Sequence, residues 1–283
     1  MTTVQNARKR TTFVPGPDGL AFRGILRSEF IKLTSLRSSI AMLLVIPALG
    51  VGVSAALSLT MADAGVPDQP SVGFMLDQVT LGTVLFGQLI AAVLGVLVIS
   101  GEYSSGTLQP TLIAAPTRLP VLEAKALVLF TMTTVSALIA TFGSWAATYP
   151  LFAALELQVG LFAPGVALAL IGGSVYVGLS AILGLGIGAL LRSVAASVAA
   201  AISVMLLLPI LLSVLPASQT VRNLQLLSMS KAGDAMSNAY DAQGEFMDLV
   251  NGYVSSGAGW VIAAVWAGLF LALGAVRLRR GDA

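Results

Sequence analysis

The sequence predicts an all-α integral membrane fold with six transmembrane helices, and three observations lead there. The 283 residues are 57% hydrophobic and only 10% charged, with a mean hydropathy of +0.92. No soluble fold of this size hides so much apolar surface from water. Six apolar runs, Ser38–Met61, Val79–Ser100, Ala124–Tyr149, Pro164–Leu191, Val194–Leu215 and Gly259–Val276, are each long enough to cross roughly 30 Å of hydrocarbon. Threaded through a bilayer, they leave thirteen of the fifteen Lys and Arg residues on one side. The positive-inside rule makes that side cytoplasmic, and an even number of crossings puts both termini there.

Charge and composition narrow the function. The formal charge of +2 divides into 13 basic and 5 acidic residues inside, against 2 basic and 8 acidic outside. Such a split orients the chain and does not signal nucleic-acid binding. Cys and His are absent, which removes thiol chemistry, disulfides, Cys or His metal sites and any catalytic His. The chain is therefore expected not to be an enzyme and to hold no cofactor of its own. A P-loop needs Lys directly after Gly, and the four lysines follow Arg8, Ile31, Ala124 and Ser230. Ala62-Asp63-Ala64 imitates a signal cleavage site, but the run before it is too long for a signal-peptide core.

The elements follow in order. Residues 1–19, with Arg8-Lys9-Arg10 and Pro15-Gly16-Pro17, read as a disordered cytoplasmic tail. Over residues 20–37, Phe22, Leu26, Phe30 and Leu33 recur at spacings of four, four and three, with Arg23, Arg27 and Lys32 at other angles. This is an amphipathic helix suited to the headgroup layer, with a plain basic flank as the alternative. Glu29 and Lys32, at i and i+3, are placed to pair on its wet face. Residues 38–278 form the six-span domain.

The first span carries Pro47, Gly50 and Gly52, where a kink or close contact is expected. An outside loop follows, with Asp63, Pro67, Asp68, Pro70 and Asp77. The second span holds Gln88 at mid-membrane, either lining a path or bonding to another helix. Spans three and four join outside through a short loop containing Pro150, Glu156 and Pro164. In span four, Gly184, Gly186 and Gly188 with Ser180 suggest one small face for close packing. Arg192-Ser193 makes a tight cytoplasmic turn to span five. The outside stretch 216–256 mixes apolar residues with Asp234, Asp241, Glu245 and Asp248, and short amphipathic helices over the bundle's mouth fit it best.

Ion-coupled carriers keep charged ligands at the midplane, and these spans hold none there: Asp77, Glu102, Glu123 and Lys125 fall at or near span ends. An externally powered machine fits better, with its ATPase on a separate chain. The inside segment 101–118 is the candidate docking element. It leaves the membrane at Glu102, turns at Gly106, and continues as a short apolar-bearing stretch stopped by Pro116.

At these residues the chain resembles the permease subunits of ABC-2 type transporters. Three features carry the resemblance: the helix with Glu29, Lys32 and Arg37; the stretch Glu102, Tyr103, Gly106, Thr107, Leu108 followed by Arg118 and Lys125; and six spans with a larger outside segment before the last. The resemblance implies that residues 20–36 are an elbow helix and that Ser104–Ala115 contain a coupling helix seated in an ABC ATP-binding subunit. Glu102 anchors that loop, and Arg192 makes a second, smaller contact. ATP and Mg belong to the partner subunit. A second copy or a paralogue completes the permease, with spans two and five, including Gln88 and Pro209, as walls of the path. The implied function is export of a lipophilic or amphipathic drug, peptide or lipid across the plasma membrane. The absence of a large soluble domain and of an aromatic carbohydrate track argues against polysaccharide. A non-transporting assembly or immunity factor of the same architecture is the alternative.

Overall fold

The computed structural model describes residues 22–64, 72–104, 118–157, 159–216, 218–238, 246–250 and 252–280. Six of the helices in these residues are long and apolar enough to cross a membrane. The short α1 (Phe22–Ser35) leads into α2 (Arg37–Ala64), α3 (Val72–Ser104), α4 (Arg118–Ala154) and α5 (Val166–Leu191). The fifth span is composite: α6 (Val194–Ile202), a π-helical turn (Ser203–Leu207) and α7 (Leu208–Val214). Two short helices, α8 (Gln219–Leu226) and α9 (Met229–Met236), and a hairpin of β1 (Met247–Asp248) and β2 (Tyr253–Val254) precede the last span, α10 (Ser256–Arg280). The expected tail, the loop residues Pro67, Asp68 and Pro70, and Gly106, Thr107 and Leu108 lie outside the described residues.

The helices outrun the apolar runs that announced them. At 37 residues, α4 is about 55 Å long, well beyond a hydrocarbon core. Polar residues at both ends of such a helix still form helical hydrogen bonds, so hydropathy marks the immersed part and not the helix. Pro150, expected in a loop, falls inside α4 for this reason. It lies in the last turns, where its missing N–H and ring disturb few remaining bonds. The chain then turns through Glu156, whose φ of 58° ends the helix.

The core is the pair α3 and α5, whose most apolar stretches are 61% and 72% buried, against 17% for the fifth span. Small residues let them meet backbone to backbone. A Cβ on Gly184 would lie 2.0 Å from the Ala92 carbonyl oxygen, and one on Gly95 would lie 2.1 Å from that of Ala181. In a membrane, where lipid is as apolar as leucine, such close packing is a main source of helix association. Residues two apart point to opposite sides of a helix. Gly184 and Gly188 therefore face α3, while Gly186 faces α10 at Phe270 and Leu271. The single small face expected from the sequence is two faces.

Along span five, Leu207, Ile210, Leu211 and Val214 remain exposed. Pro209 explains the π turn: its ring needs room at the carbonyl four residues back, and the widened turn over Ser203–Leu207 provides it. Beyond this span the chain folds back. Ser218 and Ser228 cap α8 and α9 by accepting from Val221 N and Lys231 N. Met229, Ala232, Gly233 and Met236 bury one face of α9 against α5 and α10, and Trp266 Nε1 donates to the Leu227 carbonyl at 2.8 Å. The segment thus holds short amphipathic helices, as its composition suggested.

Candidate functional site

Four charged side chains from three elements meet at one end of the bundle. Glu29 and Lys32 stand one turn apart on α1, Glu102 lies in the last turn of α3, and Lys125 lies two turns into α4. Lys125 Nζ donates to Glu29 Oε2 at 2.5 Å and to Glu102 Oε1 at 2.9 Å. Lys32 Nζ donates to Glu29 Oε1 at 2.7 Å and to Glu102 Oε1 at 3.3 Å. The quartet is electrically neutral and graded in exposure, with Lys125 at 3%, Glu29 at 4%, Glu102 at 15% and Lys32 at 37%. A buried ammonium survives only when paired, so Lys125 requires both carboxylates.

Electrostatics agree with the geometry. Burial raises the Glu29 carboxyl, but the charge and hydrogen bond of Lys125, with those of Lys32, outweigh it and hold the group below its ordinary value. Burial lowers the Lys32 ammonium, but the bond from Glu29 and the charge of Glu102 outweigh it and hold the group above its ordinary value. Both shifts favour the charged forms. The quartet therefore clamps α1 to the end of α3 and the start of α4.

A second contact lies beside it. The Arg192 guanidinium sits over the Tyr103 ring, 5.2 Å from its centroid, and Arg192 Nη2 donates to the Arg277 carbonyl at 3.1 Å. Arg192 reaches both because it caps α5 in the left-handed conformation, with φ of 57° and its N–H on the Gly188 carbonyl. It ties the end of α3 to the turn between spans four and five and to the last span.

Several expected residues are brought together here and others are not. Glu102, Tyr103 and Arg192 gather at this end, with Glu29 and Lys32. The Glu29–Lys32 pair forms, but Glu29 faces the bundle and not water, because Lys125 offers a buried partner that solvent would only screen. Of the apolar residues expected to face the headgroup layer, Phe22 and Phe30 are exposed, while Leu33 packs into the bundle. Arg37 is exposed at the start of α2, outside the quartet, and Arg118 opens α4.

Lys125 is the residue that sequence reasoning left out of the site, although it is the most buried member. Its signal was there: a lone Lys inside an apolar helical run must find an acid, and Glu102 ends the preceding span.

The proposed path residues lie elsewhere. Gln88 is buried in the seam of α3 and α5, where its Oε1 accepts from the Tyr176 hydroxyl. Of the two expected roles, its side chain takes the interhelical bond. Tyr176 in turn lies under Gly233 of α9. Pro209 is half-buried and lines a polar cleft of about 370 Å³ with Ser213, Gln225 and Asp234. At that same end, Asn238 Nδ2 donates to Asp77 Oδ1 at 3.2 Å.

A comparison with protein-family models finds a match, described as ABC-2 family transporter protein, over residues 25–209. The matched stretch contains all four members of the quartet, the Tyr103–Arg192 contact and both α3 and α5. No curated protein matches the chain. A match over more than half of the sequence, in a chain with six apolar helices long enough to cross a membrane, places the protein among multi-pass membrane transport components: the chain belongs to the ABC-2 transporter family.

Proposed function

We propose that this chain is the permease subunit of an ATP-driven exporter of lipophilic or amphipathic molecules, working with a separate ATP-binding subunit and a second permease copy or paralogue in the plasma membrane. The observation that carries the reading is the quartet. It binds α1 to both helices that flank the segment 105–117, so a force on that segment reaches three elements of the bundle at once. In this reading α1 is the elbow helix, and Glu102, Tyr103, Gly106, Thr107, Leu108 and Arg118 belong to the coupling element. The ATPase, holding ATP and Mg, docks at this end of the bundle, which the excess of Lys and Arg marks as cytoplasmic. The Arg192 contact passes motion from the end of α3 to spans four to six.

The exposed face of span five is the wall presented to the second permease, with half-buried Pro209 and the α3 residue Gln88 behind it. Such a face is greasy from Leu207 to Val214, which suits an apolar or amphipathic cargo better than a sugar polymer. Copurification with a P-loop ATPase, and ATP hydrolysis by the pair in lipid, is the expected result. Absence of hydrolysis in lipid contradicts the reading. Glu102→Ala should lower hydrolysis while membrane insertion is retained. For sidedness, the chain's lack of Cys makes single labels clean: a cysteine at Thr220 should react with an impermeant thiol reagent in whole cells, and one at Ser28 should not. The opposite pattern overturns the orientation.

A further inference from the structure

Next to the quartet lies a cavity of about 500 Å³, within the range of about 300–1,000 Å³ typical of small-molecule sites. Its polar end is the quartet itself, and its walls are apolar: Leu33 from α1 and Leu36 just after it, Leu97 and Val98 from α3, Val128 and Leu129 from α4. The two ends differ in depth. From Glu102 back to Leu97, and from Lys125 on to Leu129, is about 6–8 Å along helices that run into the membrane. The charges thus stand at the headgroup level while the apolar walls reach into the acyl region.

We propose that this cavity is a binding site for a membrane glycerophospholipid, which stays resident at the junction and is distinct from any exported cargo. An acyl chain fills the apolar part, and the phosphodiester meets Lys32. The recognition is by charge. The Lys32 ammonium has three N–H donors and its two carboxylate partners take two, leaving one for a phosphate oxygen. Lys32 is also the most exposed of the four, so it is the member a lipid can reach. Elsewhere on α1 and at the start of α2, Arg23, Arg27 and Arg37 are exposed and add basic charge at this end of the bundle, which favours an anionic phosphate. Gly101 lines the cavity without filling it: a Cβ there meets nothing within 4 Å, so a side chain can be started there towards the cavity.

The test is native mass spectrometry of the full chain in detergent, titrated with palmitoyl-oleoyl phosphatidylglycerol or with palmitoyl-oleoyl glycerol, which has the same chains and no phosphate. Wild type should retain phosphatidylglycerol at about tenfold lower concentration than the diacylglycerol. Gly101→Phe, filling the apolar part, should weaken retention of both lipids about tenfold. Lys32→Gln should bring phosphatidylglycerol down to the level of diacylglycerol, with diacylglycerol unchanged. Equal retention of the two lipids by wild type overturns the proposal, as does wild-type retention of phosphatidylglycerol by both variants.

Discussion

Lys125 of the third span holds Glu29 of the helix before the first span at 2.5 Å across 96 residues of sequence. Both side chains are almost wholly buried, and neither could be so alone. Their pairing makes the helix before span one and the start of span three parts of one junction. Its energetics follow from the cost of breaking a buried pair. Lys125→Met leaves Glu29 and Glu102 facing each other with Lys32 as their remaining quartet cation, and should cost about 3–5 kcal/mol in unfolding measured in detergent. Adding Glu29→Gln to Lys125→Met should cost less than the two single changes together, by about 0.5–3 kcal/mol. Additive losses would mean that the pair does not couple.

The junction should also respond to pH, with a fixed sign. The Glu29 carboxyl lies below its ordinary value of 4.5 in the folded protein, so its contribution is complete above 4.5 and is lost as pH falls through the lower folded value. The Lys32 ammonium lies above 10.5, so its contribution is complete below 10.5 and is lost as pH rises through the higher folded value. Across neutral pH the junction therefore stays closed. Nitroxide labels at Ser28 and Thr131 should give a narrow distance distribution at neutral pH that broadens only below 4.5 on the acid side. Broadening between pH 6 and 8 would contradict this.

The seam between α3 and α5 permits a sharper steric prediction. Gly184→Ala drives a methyl group into the Ala92 backbone, which cannot move away as a side-chain tip could. The variant should lose about 1–3 kcal/mol or fail to accumulate in the membrane. Gly268→Ala, whose added carbon meets open space, should behave as wild type in the same thermal-stability assay.

Gln88 separates structure from transport. Tyr176→Phe leaves its buried carbonyl without that partner and should destabilise the protein by about 0.5–2 kcal/mol. Replacing both groups, as Gln88→Leu with Tyr176→Phe, should recover much of that loss. If the double variant is stable and the reconstituted pair still hydrolyses ATP, the amide serves the seam alone; a stable double variant with altered cargo stimulation would place it on the path.

Much of this was legible in the sequence because a bilayer simplifies the code. The six spans are bare hydropathy. The capped helices over 219–236 were readable in apolar residues mixed with acids. What hydropathy does not encode is the helix beyond the hydrocarbon, which is why Pro150 and Glu102 proved helical and not loop. Periodicity showed that α1 is amphipathic, but not which side of it the bundle takes. That choice belongs to Lys125, whose need for carboxylates turns Glu29 inward and leaves Phe30 outside. Nor does spacing alone tell which neighbour a glycine serves: Gly186 lies between Gly184 and Gly188 in sequence, yet it opens the opposite face to α10. The π turn before Pro209 was invisible in composition, since it is a response to the ring and not a preference of Ser203–Leu207.

In the proposed function the quartet passes force from a docked ATPase into the bundle. Its most direct test is ATP hydrolysis by the permease–ATPase pair in lipid nanodiscs, comparing wild type with Lys125→Met at a temperature where both remain folded and copurify with the ATPase. An account in which the junction carries a coupling free energy of about 1–3 kcal/mol predicts a fall of about 5-fold to 150-fold. Hydrolysis and cargo stimulation at the wild-type level in a folded, ATPase-bound Lys125→Met variant would contradict it.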